Sequence, residues 1–240
     1  MLTFEERAFV AEAMDAEDAD RRKLERSYAQ LATINRDLSR MRGLLRRHVL
    51  APAIRAGNSP TVLEVGCGGG DVLGWLARAG REAGIKLRLW GVDADPRAVE
   101  HARATLAPFA EATVRQGDLH NLERDGITAD YVFCNHVLHH IPPSDIAAAL
   151  RSLRRAANRR LLVNDLERSR PAYVLFSVLA RMAFRDSFVF DDGRLSIRKG
   201  FRLPELVAAC KQANFPPASR MFRLSPWRVV IVAPGGHGDV

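Results

Sequence analysis

Cysteine is scarce in this sequence, and a long apolar run is missing. The three cysteines, Cys67, Cys134 and Cys210, lie far apart and form neither a C-x-x-C pair nor a zinc-ligand spacing. We therefore expect reduced, buried thiols in a cytoplasmic protein, and no disulfides. No stretch of about 18 uninterrupted apolar residues occurs, so no membrane span is expected.

The amino terminus has no basic segment followed by an apolar one, which argues against a secretory signal. Internal repeats and low-complexity tracts are also missing. With 240 residues, 47% of them hydrophobic, the chain is long enough for one α/β domain with additions and can bury a full core.

Negative charge is in deficit, because the formal net charge is +8. Such an excess of basic residues admits an anionic partner such as nucleic acid. The arginines are scattered, however, and the aromatic residues, only 7% of the chain, do not interleave with them as base stacking requires. We interpret the arginines as a solvated surface and do not expect a nucleic-acid interface.

The stretch T-V-L-E-V-G-C-G-G-G-D, residues 61–71, organises the rest of the chain. Its apolar, β-branched run predicts a buried strand, and the apolar periodicity that begins at Val72 predicts a helix. The glycines between them let the backbone turn sharply and approach a ligand, to which the helix N-terminus offers free N–H groups. Strand, glycine turn and helix are typical of a nucleotide-type α/β domain.

An acid inside that strand, Glu64, separates this turn from a dinucleotide site. The dinucleotide fingerprint requires G-x-G-x-x-G, whereas Asp71 occupies the third glycine position here. The run E-V-G-C-G-G-G resembles the first motif of class I S-adenosylmethionine (SAM) dependent methyltransferases. The resemblance implies that Glu64 faces the cationic amino group of the methionine part of SAM. A pyrophosphate would suit this acid poorly, which disfavours a dehydrogenase.

Later strand ends continue the resemblance. G-V-D-A-D-P resembles the second motif, which implies that Asp93 accepts both ribose hydroxyls and that Asp95 caps the next helix. G-D-L resembles the third motif, with Asp118 accepting from the adenine amino group and the backbone of Leu119 at a ring nitrogen. Asn135, in D-Y-V-x-x-N, is placed for the methionine part. The predicted cofactor residues, for SAM and its product S-adenosylhomocysteine, are Glu64, Gly66, Cys67, Gly68, Gly70, Asp93, Ala94, Asp118, Leu119 and Asn135.

Three histidines follow the fourth predicted strand in H-V-L-H-H-I-P. Because His136 and His140 are four residues apart, they would share one face of a helical turn. A neutral imidazole can remove a proton from a substrate hydroxyl near neutral pH, so both are candidate bases. A structural role is the alternative, since positioning alone can suffice with a sulfonium donor. No acid or cysteine stands beside them at a metal-ligand spacing, so no metal site is expected.

We predict an α/β protein with a Rossmann-like, seven-stranded, mostly parallel sheet whose last strand is antiparallel, and with helices on both faces. The predicted units are an N-terminal helical cap over 1–57, a methyltransferase domain over 58–233, a substrate lid inserted at about 167–202, and a tail over 234–240. Within the cap we predict an acidic helix over 3–20 and a basic helical stretch over 21–56.

The insertion after the fifth predicted strand is apolar. It predicts a helix from Pro171 to Phe184 and a polar loop over 191–201, together lining an apolar pocket. A core helix or a homodimer face is the alternative interpretation. The candidate substrate contacts are Tyr28, His139, Asp165, Phe176 and Arg194.

The resemblance covers roughly residues 60–233. The N-terminal cap and the stretches L-V-N-D-L-E-R-S and D-G-R-L-S-I-R are similar to those of small bacterial enzymes that methylate aromatic polyketides, phenols or quinones. This implies an enzyme of secondary metabolism that methylates a small aromatic or quinone-type acceptor, foremost at a hydroxyl oxygen. Alternatives are carbon methylation of a similar ring, a catalytically silent SAM-binding partner, or an RNA or protein methyltransferase. The last lacks the N/D-P-P-Y/F motif of amino-group methylases.

Overall fold

The computed structural model describes residues 3–236, so residues 1–2 of the predicted cap and residues 237–240 of the predicted tail lie outside the described residues. The strands are β1 Thr61–Val65, β2 Arg88–Asp93, β3 Ala112–Gln116, β4 Ala129–Asn135, β5 Ala157–Leu166, β6 Arg220–Leu224 and β7 Arg228–Pro234. The helices are α1 Arg21–Asp37, α2 Met41–Leu45, α3 Ala51–Ala56, α4 Asp71–Glu82, α5 Pro96–Leu106, α6 Ile146–Ala156, α7 Arg170–Ala183, α8 Val189–Lys199 and α9 Leu203–Gln212.

The strands form one sheet in the order β3-β2-β1-β4-β5-β7-β6. The first five strands are parallel, whereas β7 runs antiparallel to both β5 and β6. Val65 pairs with Val92 on one side and Cys134 on the other, so three central strands end together. This confirms the predicted seven-stranded sheet. Its order reverses between β1 and β4, and open α/β sheets bind ligands at that point.

Period-two alternation in the strands buries both faces of the sheet. Leu63 and Val65 point into a core covered by α6 and α9, which contribute side chains such as Leu150 and Leu206. Val62 points into the opposite core with Phe133, covered by α2, α4 and α5. Each fully buried large apolar side chain is worth about 1.5–3 kcal/mol, so the two cores hold the carboxyl edge of the sheet rigidly.

The predicted acidic helix over 3–20 is wrong. Residues 3–20, hereafter the N-terminal strap, contain only a short 3₁₀ turn, Ala13–Asp15. The strap has no helical apolar periodicity and takes its conformation from contacts with distant residues. The backbone N–H groups of Ala13 and Met14 donate to the Asp192 carboxylate at 2.8 and 2.9 Å. The basic segment behind it is helical, as predicted, over α1 to α3.

The insertion is two helices, and the predicted polar loop over 191–201 is wrong, because α8 spans most of it. Gly193 suggested a loop but serves close packing: a Cβ there would lie 2.4 Å from Cζ of Phe176 on α7. Asp191 and Asp192 in the first turn and Lys199 in the last turn suit the helix dipole. The predicted helix from Pro171 to Phe184 is confirmed as α7.

Cys67, Cys134 and Cys210 are buried and unpaired, as expected. Across residues 3–236, no helix is both long and apolar enough to cross a bilayer.

Candidate active site

A large cavity opens at the carboxyl edge of the sheet, beside the ends of β1, β2 and β4. Its volume is about 1220 Å³, larger than the roughly 300–1,000 Å³ of most small-molecule sites, which leaves room for two ligands. The N-terminal strap, α1, α7 and α8 form the rest of its wall.

The loop between β1 and α4 forms one side of the cavity. Gly66 and Gly68 have φ angles of 70° and 49°, a left-handed conformation that glycine adopts without steric cost. A side chain at Gly66 would also place its Cβ 2.4 Å from Cγ2 of Val137. Gly66, Cys67 and Gly68 line the cavity, as does Gly69, which the sequence motifs did not single out.

Gly70 is the predicted cofactor residue that the structure places behind this wall. It precedes α4 with φ 77°, and a Cβ there would lie 3.2 Å from Ala102 and from Leu106 on α5. Its role is therefore to let α4 begin close to α5, so the prediction of a direct contact is corrected.

Asp93 lies at the end of β2 and faces the same loop. Its Oδ2 accepts the N–H of Gly68 at 2.8 Å, and its Oδ1 accepts the N–H of Asp95 at 3.0 Å. Each oxygen retains a lone pair for a ligand hydroxyl. Asp95 caps α5 by accepting from Arg97 N at 2.8 Å, the structural role expected of it.

Asp118 follows β3 at the far end of the cavity. It is exposed, lines the cavity, and accepts the N–H of His120 at 2.7 Å as the cap of a 3₁₀ turn. Ala94 and Leu119 line the cavity beside it. The predicted ribose and adenine residues are thus neighbours along one wall.

Two buried carboxyl groups near the glycine turn keep oxygens without a hydrogen-bond partner among the described residues. These are Oε2 of Glu64 and Oδ2 of Asp71, and both residues line the cavity. Burial, reinforced by the charges of Asp71 and Asp93, raises the pKa of Glu64 well above its ordinary value. Burial also raises the pKa of Asp71. Because an unsatisfied buried polar group costs about 1–3 kcal/mol, this pair suits a cationic or donating ligand group.

A chain of amide side chains ties α1 to the sheet edge. Asn35 donates to Asp71 Oδ1 at 3.0 Å and accepts from Asn135 Nδ2 at 2.9 Å. Asn135 Oδ1 in turn accepts from Asn164 at 2.7 Å. Asn135 lines the cavity, but these bonds leave its amide one N–H and one lone pair, so it also positions α1.

His139 is held between two acids. Its Nδ1 lies 2.7 Å from Asp165 Oδ1, and its Nε2 lies 3.8 Å from Glu12 Oε1 of the N-terminal strap. Burial lowers the pKa of His139 despite the opposing charge of Asp165, so the imidazole is neutral. With Nδ1–H donated to Asp165, its Nε2 is an acceptor.

His140 stacks on His139, with ring centroids 4.3 Å apart, but titrates differently. Its Nδ1 is 3.5 Å from Asp15 Oδ2, and its Nε2 is 3.9 Å from Glu12 Oε2. Burial would lower the pKa of His140, but Asp15 and Glu12 outweigh it and raise that pKa above its ordinary value. The ring remains one-third exposed at 34% and borders the cavity.

His136 does not share a helical face with His140, so that prediction is wrong. Its φ of 60° is left-handed, and the 3₁₀ turn starts only at Leu138. Its Nε2 is buried without a partner among the described residues. Burial and the charge of Arg228 lower the pKa of His136 well below its ordinary value, which keeps it neutral at the cavity wall.

The N-terminal strap also brings a possible metal-ligand set together. Glu12, His139 and His140 offer ligand atoms within 4.8 Å of one another, although no acid stands near the histidines in sequence. Lys199 already neutralises Glu12, at 3.0 Å from Oε1, and lies 3.4 Å from His140 Nδ1. We interpret the group as a charge-balanced hydrogen-bonding cluster. The ammonium group of Lys199 supplies the positive charge that a metal ion would otherwise supply.

Three of the predicted substrate contacts, Tyr28, His139 and Phe176, line the cavity. Tyr28 packs its ring on His101, with centroids 4.7 Å apart, and closes the cavity from α1. Phe176, with Leu175 and Leu179, supplies an apolar wall from α7.

The other two predicted substrate contacts, Asp165 and Arg194, do not line the cavity. Asp165 lies behind His139 and accepts its Nδ1–H, so it orients that ring. Arg194 donates to the hydroxyl of Tyr173 on α7 and lies over the ring of Phe190 on α8.

Several cavity residues escaped the sequence motifs, namely Glu12, Asp15, Asn35, Asp71 and Arg228. Asp71 could have been found from the sequence, because it directly follows the glycine turn that forms one side of the cavity. The other four lie far from the motifs in sequence, so no spacing rule could associate them with the site.

Residues 62–159 match the protein-family model described as a methyltransferase domain. This segment is therefore similar to methyltransferase domains. It runs from β1 into β5 and contains every predicted cofactor residue.

Curated proteins are also similar to this chain in sequence. The chain is 33% identical over 110 residues to an uncharacterized 37.1 kDa protein in transposon TN4556 of Streptomyces fradiae, covering 45% of this chain and 31% of that protein. It is 26% identical over 140 residues to a demethylmenaquinone methyltransferase of Staphylococcus epidermidis, covering 58% of this chain and 56% of that enzyme. The matches therefore span less than two thirds of either relative.

Solved structures share the fold. Magnesium protoporphyrin IX methyltransferase from Synechocystis PCC 6803, with bound SAH, has a TM-score of 0.53 at 20% identity over 78% of this chain and 80% of that chain. A SAM-dependent methyltransferase from Aquifex aeolicus has a TM-score of 0.55 at 17% identity, over 88% of this chain and 97% of that chain. The DszA carbon methyltransferase has a TM-score of 0.54 at 21% identity, over 80% of this chain and 50% of that chain. The chain therefore has the class I methyltransferase fold.

Proposed function

We propose that the protein transfers the methyl group of SAM to a small aromatic or quinone-type acceptor, at a hydroxyl oxygen. The observation that carries the proposal is the pair of unpartnered carboxyl oxygens of Glu64 and Asp71, beside Asp93, in a cavity with room for two ligands. SAM carries a cationic amino group, and buried carboxyl groups without a partner suit a cation.

The methyltransferase domain would hold the cofactor along one wall. Glu64 and Asp71 would take the cationic methionine part, Asp93 the ribose hydroxyls, and Asp118 the adenine amino group. The N–H of Gly68 already orients the carboxylate of Asp93, so that carboxylate need not reorganise when a ribose binds. When bound, SAM supplies an electrophilic methyl group on a positively charged sulfur.

The residues of this chain supply the acceptor side. His140, with Glu12 and Asp15 beside it, would hold the proton that leaves the acceptor hydroxyl. The rings and aliphatic chains of α7 would orient the acceptor and exclude water from it. Asp165 fixes the ring of His139 through its Nδ1–H, and His139 packs against His140 and limits its rotation.

The apolar α7 wall supports an aromatic acceptor, and the relative named demethylmenaquinone methyltransferase supports a quinone-type one. Oxygen is proposed as the methylated atom because a histidine that can take a proton borders the cavity. Methylation at a ring carbon would use the same apolar wall. An O-methyl product and a C-methyl product differ in the ¹³C chemical shift of the transferred methyl group. An NMR spectrum of the product made with ¹³C-methyl-labelled SAM therefore distinguishes them.

Calorimetric titration with SAM, S-adenosylhomocysteine and NAD tests the cofactor. We expect the first two to bind and NAD not to bind. The Asp93→Ala variant should weaken SAM binding about 100-fold, because hydrogen bonds to a charged group contribute about 1.5–3 kcal/mol each. The Asp125→Ala variant, at an exposed surface position, is the matched control. Unchanged affinity in folded Asp93→Ala protein would exclude the ribose assignment.

Turnover separates an enzyme from a silent SAM-binding protein. Phenols and hydroxyquinones are incubated with methyl-labelled SAM, and label transfer is measured by mass spectrometry. SAM binding without transfer to any acceptor would contradict the enzymatic part of the proposal only.

A further inference from the structure

Arg228 occupies an unusual position in the cavity wall. It is the first residue of β7 and pairs with Leu166, the last residue of β5. Because β7 is antiparallel to β5, its first residue lies at the carboxyl edge of the parallel strands. Arg228 is only 6% exposed and lines the cavity.

The guanidinium of Arg228 makes no hydrogen bond, ion pair or ring contact among residues 3–236, and its Nε is buried without a partner. Burial lowers the pKa of Arg228 to about 10, against the charge of Asp165, so the group is still a cation at neutral pH. Asp165 itself accepts from His139 and from the N–H of Leu166, and it lies outside the cavity lining.

Arg168, the other deeply buried arginine of this region, shows how the fold satisfies such a group. It donates to the carbonyls of Phe4, Glu5 and Gly200 at 2.7–2.9 Å and pairs with Glu205. A buried charge that lacks such partners is costly unless a ligand completes it. Arg228 therefore differs from a structural arginine in having its donors free at a cavity.

His136 lines the same cavity as Arg228 and is close enough for the guanidinium charge to lower its pKa. His136 is neutral, and its Nε2 also lacks a partner. The charges of Glu12 and Asp15 lie around the His139–His140 pair, so they do not neutralise this guanidinium. In the tautomer that carries its proton on Nε2, neutral His136 offers a donor beside the guanidinium of Arg228, and this pair suits an anionic oxygen on a ring.

We propose that Arg228 binds the ionised oxygen of the acceptor, so that the substrate class is acidic phenols and hydroxyquinones that react as oxyanions. The inference deepens the proposed function and rests on it. The acceptor loses its proton to His140 or to water on binding. Its oxygen then forms the new O–C bond as the methyl–sulfur bond breaks, and that electron pair stays on sulfur. A fixed cation at the oxygen favours its ionisation, which reduces the demand on a protein base.

The test uses 4-nitrophenol, whose phenolate form absorbs visible light, bound to the full chain saturated with S-adenosylhomocysteine. In wild-type protein we expect bound 4-nitrophenol to ionise at a lower pH than it does in water. The Arg228→Gln variant should lose this shift and bind the phenolate about 10- to 100-fold more weakly. Arg228→Lys should keep part of the lowered ionisation pH of 4-nitrophenol, because lysine keeps the positive charge but lacks the planar set of N–H donors of a guanidinium group.

Arg220→Gln, the same change at an exposed arginine of β6, is the matched control and should behave as wild type. SAM affinity is measured on every variant. Unchanged SAM binding with loss of phenolate binding supports the proposal. A loss of SAM binding in Arg228→Gln would overturn it, because the guanidinium would then serve the cofactor carboxylate. An unchanged ionisation of 4-nitrophenol would overturn it as well. Failure of SAM to bind wild-type protein would instead contradict the proposed function itself.

Discussion

At the scale of single residues, the carboxyl group of Glu64 illustrates how burial prepares a site for a cation. Its pKa is raised in the free protein, so the protonated form of Glu64 persists to a higher pH than that of an ordinary carboxyl group. A cationic ligand favours the carboxylate, and binding must therefore release a proton. SAM affinity should rise with pH until the pKa of free Glu64 is passed.

The Glu64→Gln variant keeps the shape and removes this titration. We expect SAM to bind about 10-fold more weakly and with a flatter pH dependence, since one charged partner worth about 1.5–3 kcal/mol is replaced by a neutral one. Calorimetry in buffers of different ionisation enthalpy counts the released protons. Glu82→Gln, at an exposed end of α4, is the control. Proton release that persists in Glu64→Gln would assign the titration to Asp71 or Asp93.

Asp15 controls the second titration, at His140. As a base His140 must be neutral, so methyl transfer should decline as the pH falls below its raised pKa. Removing the charge of Asp15 lowers that pKa, and the acid limb of the kcat profile of Asp15→Asn should shift toward lower pH. The exposed Asp18→Asn variant should leave the profile unchanged. A profile unaffected by Asp15→Asn would mean that another group sets the acid limb.

Elements, and not only residues, complete the site. The N-terminal strap brings Glu12 and Asp15 to the histidines and is fixed by Arg168, which donates to Phe4 and Glu5. Its conformation depends on α8, through Asp192. The acids of the strap were visible in the sequence, but their pattern suggested an acidic helix because neither partner is local.

The α7 helix presents its apolar residues to the cavity and to solvent. Leu175 and Leu179 line the cavity and are 44% and 54% exposed, whereas Val178 is 57% exposed and lies outside it. The Leu175→Ala and Leu179→Ala variants should each raise the KM for the acceptor about fivefold, since each removes apolar contact worth about 1 kcal/mol.

SAM affinity should stay unchanged in these α7 variants, and Val178→Ala, the control on the same helix, should leave the KM unchanged. Steady-state kinetics with the acceptor varied at saturating SAM measures the effect. Equal KM changes in all three variants would show that α7 acts through stability and does not form the acceptor wall.

For the whole molecule, the raised pKa values of Glu64, Asp71 and Asp93 have a consequence for folding. The folded state binds their protons more tightly than the unfolded state, so stability falls as pH rises from about 4 through the folded pKa values. Each group contributes at most about 1.4 kcal/mol per pH unit.

Thermal melts of the ligand-free protein should therefore show a Tm that declines as the pH rises above about 5. The decline should be smaller in Glu64→Gln, and S-adenosylhomocysteine should stabilise the protein more at the higher pH. A Tm that rises over this range would show that the lowered pKa values of His136 and His139, which act with the opposite sign, dominate.

The sequence by itself determined the sheet, its antiparallel last strand and the group of strand-end acids that we propose as the cofactor wall. These depend on local patterns: a strand, a glycine turn with positive φ at Gly66 and Gly68, and acids such as Asp93 at strand ends. Parallel strands bring their carboxyl ends to one edge, so the chain order of those acids already implies that they are neighbours.

Only the tertiary structure decided the acceptor side. Glu12 reaches His139 across 127 positions, α8 forms because Gly193 lets it pack on Phe176, and β7 carries Arg228 to the cavity by reversing direction. These residues have no local pattern, since their roles come from the burial and charge of partners distant in the chain. A buried carboxyl or guanidinium without a partner becomes visible only when its surroundings are assembled.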